Sequence, residues 1–329
     1  MHKTIVELLK DAGESFLSGE EIAQKLGVSR AAIWKHINKL RNSGYQIISR
    51  ERCGYKLENA PDLLLTSEVQ SNLNTQIIGK NMHYFPSIDS TNKMAKVLAY
   101  RGAPDGTVVI AEEQTGGKGR LERSFFSPRG GIWFSIILRP NFLPADAPKS
   151  TLMTAVAVSN AMLRFNLKPQ IKWPNDILFD NRKLVGILTE LSGELSKITY
   201  IVVGIGINVN IAHSDFPEEL QNVAASLSEV AGHPIKRVKF FQAVLEEFDK
   251  LYLEVNKHGF AEILNLWRKF NVTLGHKVKV IPAGSGDSFT GLAQDIADDG
   301  SLIVSTQHGL EKVVAGDVSI RYQKAAKYL

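Results

Sequence analysis

Residues 172–188 read KWPNDILFDNRKLVGIL and contain two motifs in which charge lies beside a restricted backbone. The first, 172–176, places a strand-ending lysine, an aromatic residue, a proline-fixed turn and the carboxylate of Asp176 within five residues. In the second, Lys183 precedes the apolar run 184–188, so we expect it at the entrance of a strand with its ammonium group facing a pocket. Asp176 is suited to hold Mg²⁺ or to bind a nucleotide, and the same residues also fit an Asn-Asp turn.

A glycine-rich segment, EQTGGKGR at residues 113–120, precedes these motifs and ends in Lys118 and Arg120, with Arg123 close behind. Glycine allows backbone amides to approach an anion closely, and the cations can neutralise phosphate or carboxylate oxygens. The lysine-and-threonine ending of a Walker loop is missing, which excludes a P-loop. The segment therefore predicts an anion-binding loop of another kind.

Two further segments place polar side chains beside regular structure. GIGINVN at 204–210 sets Asn208 on an otherwise apolar strand, where a polar side chain needs a partner and a structural hydrogen bond would suffice. The triplet 90–92, Ser-Thr-Asn, precedes a predicted helix, and Ser90 fits its N-cap. Trp133 is expected in the core and in the wall of the pocket.

The N-terminal segment has the pattern of a helix-turn-helix. Helices are predicted over 4–12, 18–26 and 30–42, the second with Ser18 as N-cap and Glu21 completing a capping box. Apolar positions of the three helices share one face, and the third helix is basic on its outside.

Two strands at 45–49 and 55–57, joined by a charged turn, predict the wing of a winged helix. A plain three-helix interaction module is the alternative. The region 30–56 carries seven basic residues against one acid, a local charge of +6 that exceeds the +5 of the whole chain. This charge fits a surface that faces phosphates, and a solvated helix face with a charged loop is the other interpretation. The residues expected to contact DNA are Ser29, Arg30, Lys35, His36, Asn38, Lys39, Arg50 and Arg52.

Composition is typical of a globular protein: 44% of the 329 residues are hydrophobic and 22% are charged. Cys53 is the one cysteine, so an intrachain disulfide and a zinc site built from cysteines are excluded, and a reducing cytoplasmic setting is expected. Charged residues interrupt the N-terminal apolar positions, so we expect no signal peptide. The longest apolar stretch, 201–211, is too short to cross a bilayer, and no membrane association is expected.

The chain length suggests two or three domains. Pro61 marks the first boundary, and the predicted domains are 1–60, 66–268 and 272–329. The middle domain mixes helices and strands, which indicates an α+β fold. Its strands are predicted at 108–112, 132–138, 170–173, 186–191 and 200–209. Its helices are predicted at 93–100, 150–165 and 237–256. Short strands at 277–281, 289–293, 301–305 and 312–314 predict a small C-terminal β barrel.

In their order and spacing the four central motifs resemble the catalytic domain of biotin protein ligases. Together with the N-terminal helix-turn-helix they resemble the bifunctional biotin ligases that also repress the biotin operon of bacteria, almost from end to end. The resemblance implies a winged helix, a central α+β domain related to lipoate ligases and a C-terminal SH3-like barrel. The family loop usually reads Gly-Arg-Gly-Arg-x-Gly, whereas this chain has Lys118 at the first arginine and Glu122 at the last glycine.

The resemblance also implies roles for individual residues. The catalytic cations are Lys183, Arg120 and Lys118. The residues implied for biotin are Ser90, Thr91, Asn92, Gln114, Lys118, Gly119, Arg120, Lys183, Gly186 and Leu188. The residues implied for the nucleotide are Arg120, Arg123, Lys172, Asn175, Asp176, Asn208 and Arg321, with Asp176 also holding Mg²⁺. For Arg321 a surface position on a strand is an equally good interpretation.

The implied reaction joins biotin and ATP to give biotinyl-5′-AMP and pyrophosphate, and then transfers biotin to a lysine of a biotin carboxyl carrier protein. ATP, Mg²⁺ and biotin are thus expected as co-substrate, metal and substrate, without a tightly bound prosthetic group. Operator DNA and a homodimer promoted by biotinyl-5′-AMP are the other expected partners. A lipoate ligase and a ligand-sensing transcription factor without ligase activity are the rival interpretations.

Overall fold

The computed structural model describes residues 2–42, 44–194, 197–282, 287–315 and 318–322. Contacts between Cα atoms divide the chain into two compact units, Met1–Leu73 and Asn74–Leu329. Within the described ranges, the helices are all too short or too polar to span a membrane.

The N-terminal unit has the predicted helices and wing. Its elements are α1 (His2–Asp11), α2 (Gly19–Leu26), α3 (Arg30–Asn42), β1 (Gln46–Arg50), β2 (Gly54–Asn59) and α4 (Thr66–Gln70). Ser18 Oγ accepts a hydrogen bond from the amide of Glu21 and the Glu21 carboxylate accepts one from the amide of Ser18, which confirms the capping box. Gly27 ends α2 with a left-handed backbone, φ 64°.

The core of this unit is made by apolar side chains spaced along the three helices. Ile33 and Ile37 are four residues apart and share one face of α3, and they are fully buried together with Ile5 of α1 and Ile22 of α2. The compact unit extends past Pro61 through α4, where Glu68 is buried and accepts hydrogen bonds from Tyr45 Oη and Lys10 Nζ, both at 2.5 Å. Burial and Glu68 together raise the pKa of Tyr45.

The central part of the second unit is built on a seven-stranded sheet. Its elements in chain order are β3 (Met82–Phe85), α5 (Thr91–Tyr100), β4 (Thr107–Ala111), β5 (Ile132–Leu138), α6 (Lys149–Leu163), β6 (Gln170–Lys172), β7 (Asp176–Phe179), β8 (Arg182–Glu194), β9 (Lys197–Ile207), α7 (Glu218–Gln221), α8 (Leu227–Ala231), α9 (Arg237–His258) and α10 (Ala261–Phe270). The strand order is β3-β4-β5-β9-β8-β7-β6, and only the β3–β4 pair is parallel.

All predicted strands and helices of this domain are present, and several elements were not predicted. Strand β8 extends to Arg182 at one end and Glu194 at the other, beyond the predicted 186–191. Strand β7 was not predicted and shows that Asp176 begins a strand rather than lying in an Asn-Asp turn. Strand β3 and helix α10 were also missed, although α10 buries Trp267 completely.

Alternation along β5 explains how helices cover both faces of the sheet. Ser135 lies within 2.8 Å of Thr91 at the start of α5, whereas Phe134 packs edge-on against Phe241 of α9, with ring centroids 4.7 Å apart. Successive side chains of a strand point to opposite faces, so α5 and α9 lie on opposite sides. The candidate site lies on the α5 side.

The C-terminal part forms an antiparallel sheet with the order β13-β12-β11-β10-β14. Its strands are β10 (Lys277–Pro282), β11 (Phe289–Ile296), β12 (Leu302–Thr306), β13 (Gly309–Val313) and β14 (Val318–Tyr322). The four predicted strands are confirmed, and β14 is an additional one. The sheet is attached to the central domain through Arg268 of α10, whose Nε donates to Asp295 Oδ1 at 2.8 Å.

Candidate active site

A cleft of about 290 Å³ opens on the α5 side of the central sheet. Its floor is formed by β8 and β9, and its walls by the glycine-rich loop and by the turn between β6 and β7. The sequence-predicted residues that line it are Ser90, Thr91, Asn92, Gln114, Lys118, Gly119, Arg120, Arg123, Lys172, Asn175, Asp176, Lys183, Gly186, Leu188 and Asn208. The four central motifs, spread over residues 113–210, and the triplet 90–92 thus meet in one cavity.

One end of the cleft, which we call the neutral end, consists of Thr91, Asn92, Gln114 and Ser135. Ser135 Oγ lies 2.8 Å from Thr91 Oγ1 and 2.6 Å from Asn92 Oδ1, while Gln114 Oε1 accepts from the amide and the hydroxyl of Thr91 at 2.8 and 3.0 Å. Thr91, Asn92 and Ser135 are all less than a tenth exposed. The neutral end is therefore a closed network of hydroxyl and amide groups without net charge.

The position of Asn92 is fixed from both sides. Its Nδ2 donates to Glu190 Oε2 at 2.8 Å, and Glu190 Oε1 pairs with Lys96 at 2.7 Å. Ser90 is the N-cap of α5, as predicted, with its hydroxyl accepting from the amide of Lys93. The Lys93 ammonium and the amide of Ser90 also lower the pKa of the neighbouring Asp89.

Glycines keep the floor of the cleft open. A side-chain carbon added to Gly204 would lie 2.1 Å from Asn92 Oδ1, and one added to Gly206 would lie 2.5 Å from the ring of Phe125. The two glycines are on the same face of β9, about 7 Å apart at the rise of a strand. The floor therefore passes from the amide of Asn92 to the aromatic ring of Phe125.

Beyond this ring the cleft becomes positively charged. Lys183 Nζ lies 5.3 Å from the centroid of Phe125 and 2.7 Å from Asp176 Oδ1. Gly186 leaves room for this arrangement, because a side-chain carbon there would lie 2.9 Å from Lys183 Cε. Lys183 is thus held at the floor between an aromatic ring and a carboxylate.

We call the residues around Lys183 the cationic end. It comprises Lys118, Arg120, Arg123, Lys172 and Lys183. Lys118 Nζ lies 3.3 Å from Glu122 Oε2, and Arg120 Nη1 donates to Asn175 Oδ1 at 3.2 Å. Arg120 Nη2 also donates to the carbonyl of Ala315, which connects the glycine-rich loop to the C-terminal sheet. In these three contacts Lys118 and Arg120, which both line the cleft, each have a counter-group beside them.

The backbone of the loop departs from what its side chains prefer. Leu121 and Glu122 both have left-handed backbones, φ 55° and 56°. Glycine adopts this region without cost, whereas other residues do not. The glycine that the family usually has at position 122 would adopt this backbone without strain. Glu122 adopts the same left-handed backbone, which the sequence alone could not show.

The turn 173–175, which carries Asn175 and leads into Asp176 at the start of β7, is anchored to the C-terminal sheet region. The Trp173–Pro174 peptide is cis. The Trp173 ring is buried and its Nε1 donates to the carbonyl of Gly300 at 3.1 Å, while its amide donates to Thr273 Oγ1 at 2.9 Å. Asn175 Nδ2 donates to the carbonyl of Ile187 at 2.8 Å, which ties the turn to β8.

Two predicted nucleotide contacts need separate comment. Asn208 Nδ2 donates to the carbonyls of Lys183 and Ala225, at 3.2 and 3.1 Å, so its amide nitrogen serves the structural hydrogen bonds that the sequence left open. Arg321 lies on β14, and its side chain falls outside the described part of the chain.

The sequence pointed to Asp176 as a ligand of Mg²⁺, and the residues that line the cleft show whether they could hold this ion. Asp176 is the one acidic side chain among the described residues that line the cleft. No group of three or more His, Cys, Asp or Glu side chains suited to a metal occurs among the described residues. A single carboxylate fits Mg²⁺ when substrate phosphates supply further oxygen ligands, and it does not fit a metal held by protein alone.

Several functional-looking residues were missed. Ser135 and Glu190 hold the neutral end together, but a serine in an apolar strand gives no signal of its partner. Trp133 is fully buried, and its Nε1 donates to Pro128 O at 2.7 Å; it belongs to the core, while Phe125, packed edge-on against it, lines the cleft.

In the N-terminal unit the predicted DNA contacts divide into exposed and half-buried residues. Those exposed are Ser29, Arg30, Lys35, Lys39, Arg50 and Arg52. His36 and Asn38, expected on the outside, are half-buried. Asn38 Oδ1 accepts from Arg41, which also donates to the carbonyl of Ile47 on β1. Arg41 therefore joins Asn38, on the face of α3 that the sequence assigned to solvent, to the wing.

Comparison with known proteins agrees with this arrangement. The biotin/lipoate A/B protein ligase family model matches residues 84–208, a helix-turn-helix domain model matches 2–56, and the biotin protein ligase C-terminal domain model matches 273–321. The bifunctional ligase/repressor BirA of Bacillus spizizenii is 40% identical over 97% of this chain and 98% of its own length. The chain belongs to the biotin protein ligase family.

Other members of the biotin protein ligase family match over different lengths. The bifunctional ligase/repressor BirA of Escherichia coli is 31% identical over 94% of both chains. The solved structure of the Aquifex aeolicus biotin protein ligase in complex with biotin and ATP is 30% identical, with a TM-score of 0.66, and is matched over its whole length by 74% of this chain. The chain is thus a biotin ligase of the kind that also carries a repressor helix-turn-helix.

Proposed function

We propose that the cleft makes biotinyl-5′-AMP from biotin and ATP and passes the biotinyl group to a lysine of a biotin carboxyl carrier protein. The observation that carries the proposal is the change of polarity along the floor, from Asn92 past Phe125 to Lys183. Biotin has the same order of groups: a neutral ureido ring, an apolar chain and a carboxylate. The neutral end supplies hydroxyl and amide partners for the ring, and the cationic end receives the carboxylate and the phosphates of ATP.

The first step forms a bond between a biotin carboxylate oxygen and the α-phosphorus of ATP, and pyrophosphate leaves with the electrons of the broken phosphorus–oxygen bond. Lys183 pairs with the carboxylate and then with the charge that builds on the α-phosphate. Lys118, Arg120 and Arg123 neutralise the remaining phosphate oxygens. Most of the rate enhancement comes from holding the two anions in line.

Mg²⁺, when bound, neutralises phosphate oxygens, and Asp176 would hold it together with the nucleotide. The ion pair between Asp176 and Lys183 has to loosen for the lysine to reach the substrate carboxylate. After the product leaves, the Asp176 carboxylate pairs with Lys183 again and returns it to its place.

In the second step the amine of the carrier lysine attacks the carbonyl carbon of the adenylate, loses a proton, and AMP leaves with its phosphate oxygen. The mixed anhydride must be kept from water until then. The loop 114–129 is placed to do this, because it forms one wall of the cleft and carries several of its cations.

Exchange of labelled pyrophosphate into ATP tests the proposal. Wild-type protein should catalyse exchange when biotin is present, and neither without biotin nor with lipoate in its place. Exchange that occurs with lipoate and does not occur with biotin would favour a lipoate ligase. Operator binding without exchange would favour a transcription factor that only senses its ligand.

We also propose that the N-terminal unit binds a palindromic operator as a homodimer whose formation biotinyl-5′-AMP promotes. The support is the basic exposed face of α3 beside the charged wing. Ordering of loop 114–129 over the adenylate would remove conformational entropy that dimer formation otherwise has to overcome. By linkage the adenylate then tightens the dimer by the same factor as the dimer tightens the adenylate.

Two measurements test this second part. Removal of the N-terminal unit, Met1–Leu73, should abolish operator binding and leave pyrophosphate exchange; a footprint by the truncated protein would contradict the assignment. Sedimentation with and without biotinyl-5′-AMP should show a tighter dimer with the adenylate, and an unchanged monomer–dimer constant would remove the coupling.

A further inference from the structure

Trp34 is the exposed tryptophan of this protein. It is 57% exposed, whereas Trp133, Trp173 and Trp267 are at most 1% exposed. Tryptophan is a large apolar residue that proteins bury on average. A tryptophan on the solvent-exposed side of α3, away from the buried Ile33 and Ile37, therefore needs a reason other than the stability of its own domain.

The position of Trp34 on α3 indicates which surface of the N-terminal unit the residue belongs to. Trp34 is the fifth residue of the helix and lies one turn after Arg30 and one turn before Asn38, in the row that ends at Arg41. Arg41 donates to the carbonyl of Ile47 on β1. Trp34 thus lies on the side of the helix that faces the wing, in the N-terminal half that enters a DNA groove in helix-turn-helix proteins.

The surroundings of Trp34 match one class of partner. Arg30, Ala31 and Lys35 are exposed next to it, and Arg50 and Arg52 are exposed on the wing. Cations on both sides fit the two phosphate backbones that border a groove. The apolar Trp34 ring lies between these cations, with the small Ala31 one turn before it. In such a complex the ring would contact the base edges at the floor of the groove.

We propose that Trp34 reads thymine, by contact of its indole ring with the C5-methyl group in the major groove. The proposal rests on the operator-binding function proposed above and adds a specificity-determining residue to it. The C5-methyl is the one apolar group that a base pair presents in the major groove. An indole N–H can in addition donate to a base acceptor, but the methyl contact is what distinguishes thymine from the other bases.

The test starts from DNA that the protein itself selects. Wild-type protein with biotin and ATP is used to select duplexes from a random pool, and the selected thymines are then replaced one at a time by deoxyuridine, which lacks only the methyl group. At one or two positions in each half-site the replacement should weaken wild-type binding about fourfold, the effect of one methyl group removed from water.

Variants connect that loss to the tryptophan. Trp34→Ala should bind the thymine and deoxyuridine duplexes equally, and Trp34→Phe should keep part of the difference. Lys35→Ala is the matched control: it should weaken both duplexes alike, lower the salt dependence and keep the methyl effect. Because the other tryptophans are buried, quenching of fluorescence by acrylamide should report Trp34, and the duplex should protect it.

The outcomes separate the two proposals. If Trp34→Ala selects the same sites and still loses fourfold on methyl removal, Trp34 does not read thymine and the operator-binding function stands. Unchanged acrylamide quenching in the complex would equally exclude Trp34 from the groove. If wild-type protein selects no duplex, the operator-binding function fails and the inference fails with it.

Discussion

The two ends of the cleft are built on different principles. At the neutral end, buried side chains satisfy one another: Ser135, Thr91 and Gln114 are joined by hydrogen bonds of 2.8 to 3.0 Å. At the cationic end, partly exposed cations are paired with acids, Lys183 with Asp176 and Lys118 with Glu122. The neutral end is therefore held in shape by its own hydrogen bonds, whereas an anion that binds Lys183 or Lys118 competes with a carboxylate already beside it.

Because of this difference, we expect the neutral end to determine substrate affinity and the cationic end to determine the rate of the reaction. A rigid network that keeps its geometry contributes equally to substrate and transition state, so it determines affinity. Cations that exchange one anion for another contribute most where charge develops, so they determine rate. Substitutions at the two ends should accordingly separate KM from kcat.

Lys183→Ala should have the largest effect. Loss of the cation that follows the developing charge should lower kcat for pyrophosphate exchange on the order of 100- to 1,000-fold. The melting temperature should change little, because Lys183 is about one third exposed. Lys197→Ala, on the exposed end of β9, is the matched control and should exchange like wild type. Equal rates for the two variants would remove Lys183 from the chemistry.

Gln114→Ala should have an intermediate effect, confined to biotin. Two groups of Thr91 donate to the Gln114 side chain, and leaving them unpaired costs about 1 to 3 kcal/mol. We expect the KM for biotin to rise about tenfold or more, with kcat and the KM for ATP within a few-fold of wild type. Gln307→Ala, exposed in the turn between β12 and β13, serves as control. A matching rise in the KM for ATP would show that the two ends do not act separately.

Glu122→Gly and Glu122→Gln should have the smallest effects. Comparing the two variants separates the effect of the Glu122 charge from the effect of its backbone conformation. Both remove the carboxylate beside Lys118, so both should lower the KM for ATP a few-fold. Only glycine also relieves the left-handed backbone, and it should raise the free energy of unfolding by at most about 1 kcal/mol. Because the Lys118–Glu122 pair is largely exposed, a larger gain in stability is not expected. A raised KM for ATP in both variants would contradict competition for Lys118.

The sequence predicted the elements whose signals are local. The capping box of Ser18 and Glu21, the wing and the apolar face of α9 can be read from neighbouring residues, and all are present. Strand β7 and the ends of β8 were missed because they are short or polar, and pairing with neighbouring strands stabilises them despite their composition. Tertiary contacts override local preference in such segments.

The site divides in the same way. The motifs identified the cleft residues because each motif is local, but they could not show which groups pair. That Asp176 holds Lys183, or that Ser135 joins Thr91 to Asn92, depends on strands brought together from distant parts of the chain. The half-buried position of Asn38 was missed for a similar reason, since Arg41 joins it to the wing, which follows it in sequence.

Direct detection of the adenylate shows whether the cleft activates biotin. Purified protein at micromolar concentration is mixed with biotin, Mg²⁺ and ATP labelled in the α-phosphate, without carrier protein, quenched in acid and separated. We predict one labelled biotinyl-5′-AMP for each chain and an equal amount of pyrophosphate, with Gln114→Ala reaching the same level at high biotin and Lys183→Ala forming it far more slowly. Release of ADP instead of pyrophosphate, or an adenylate level in Lys183→Ala reached at the wild-type rate, would contradict this assignment of the cleft.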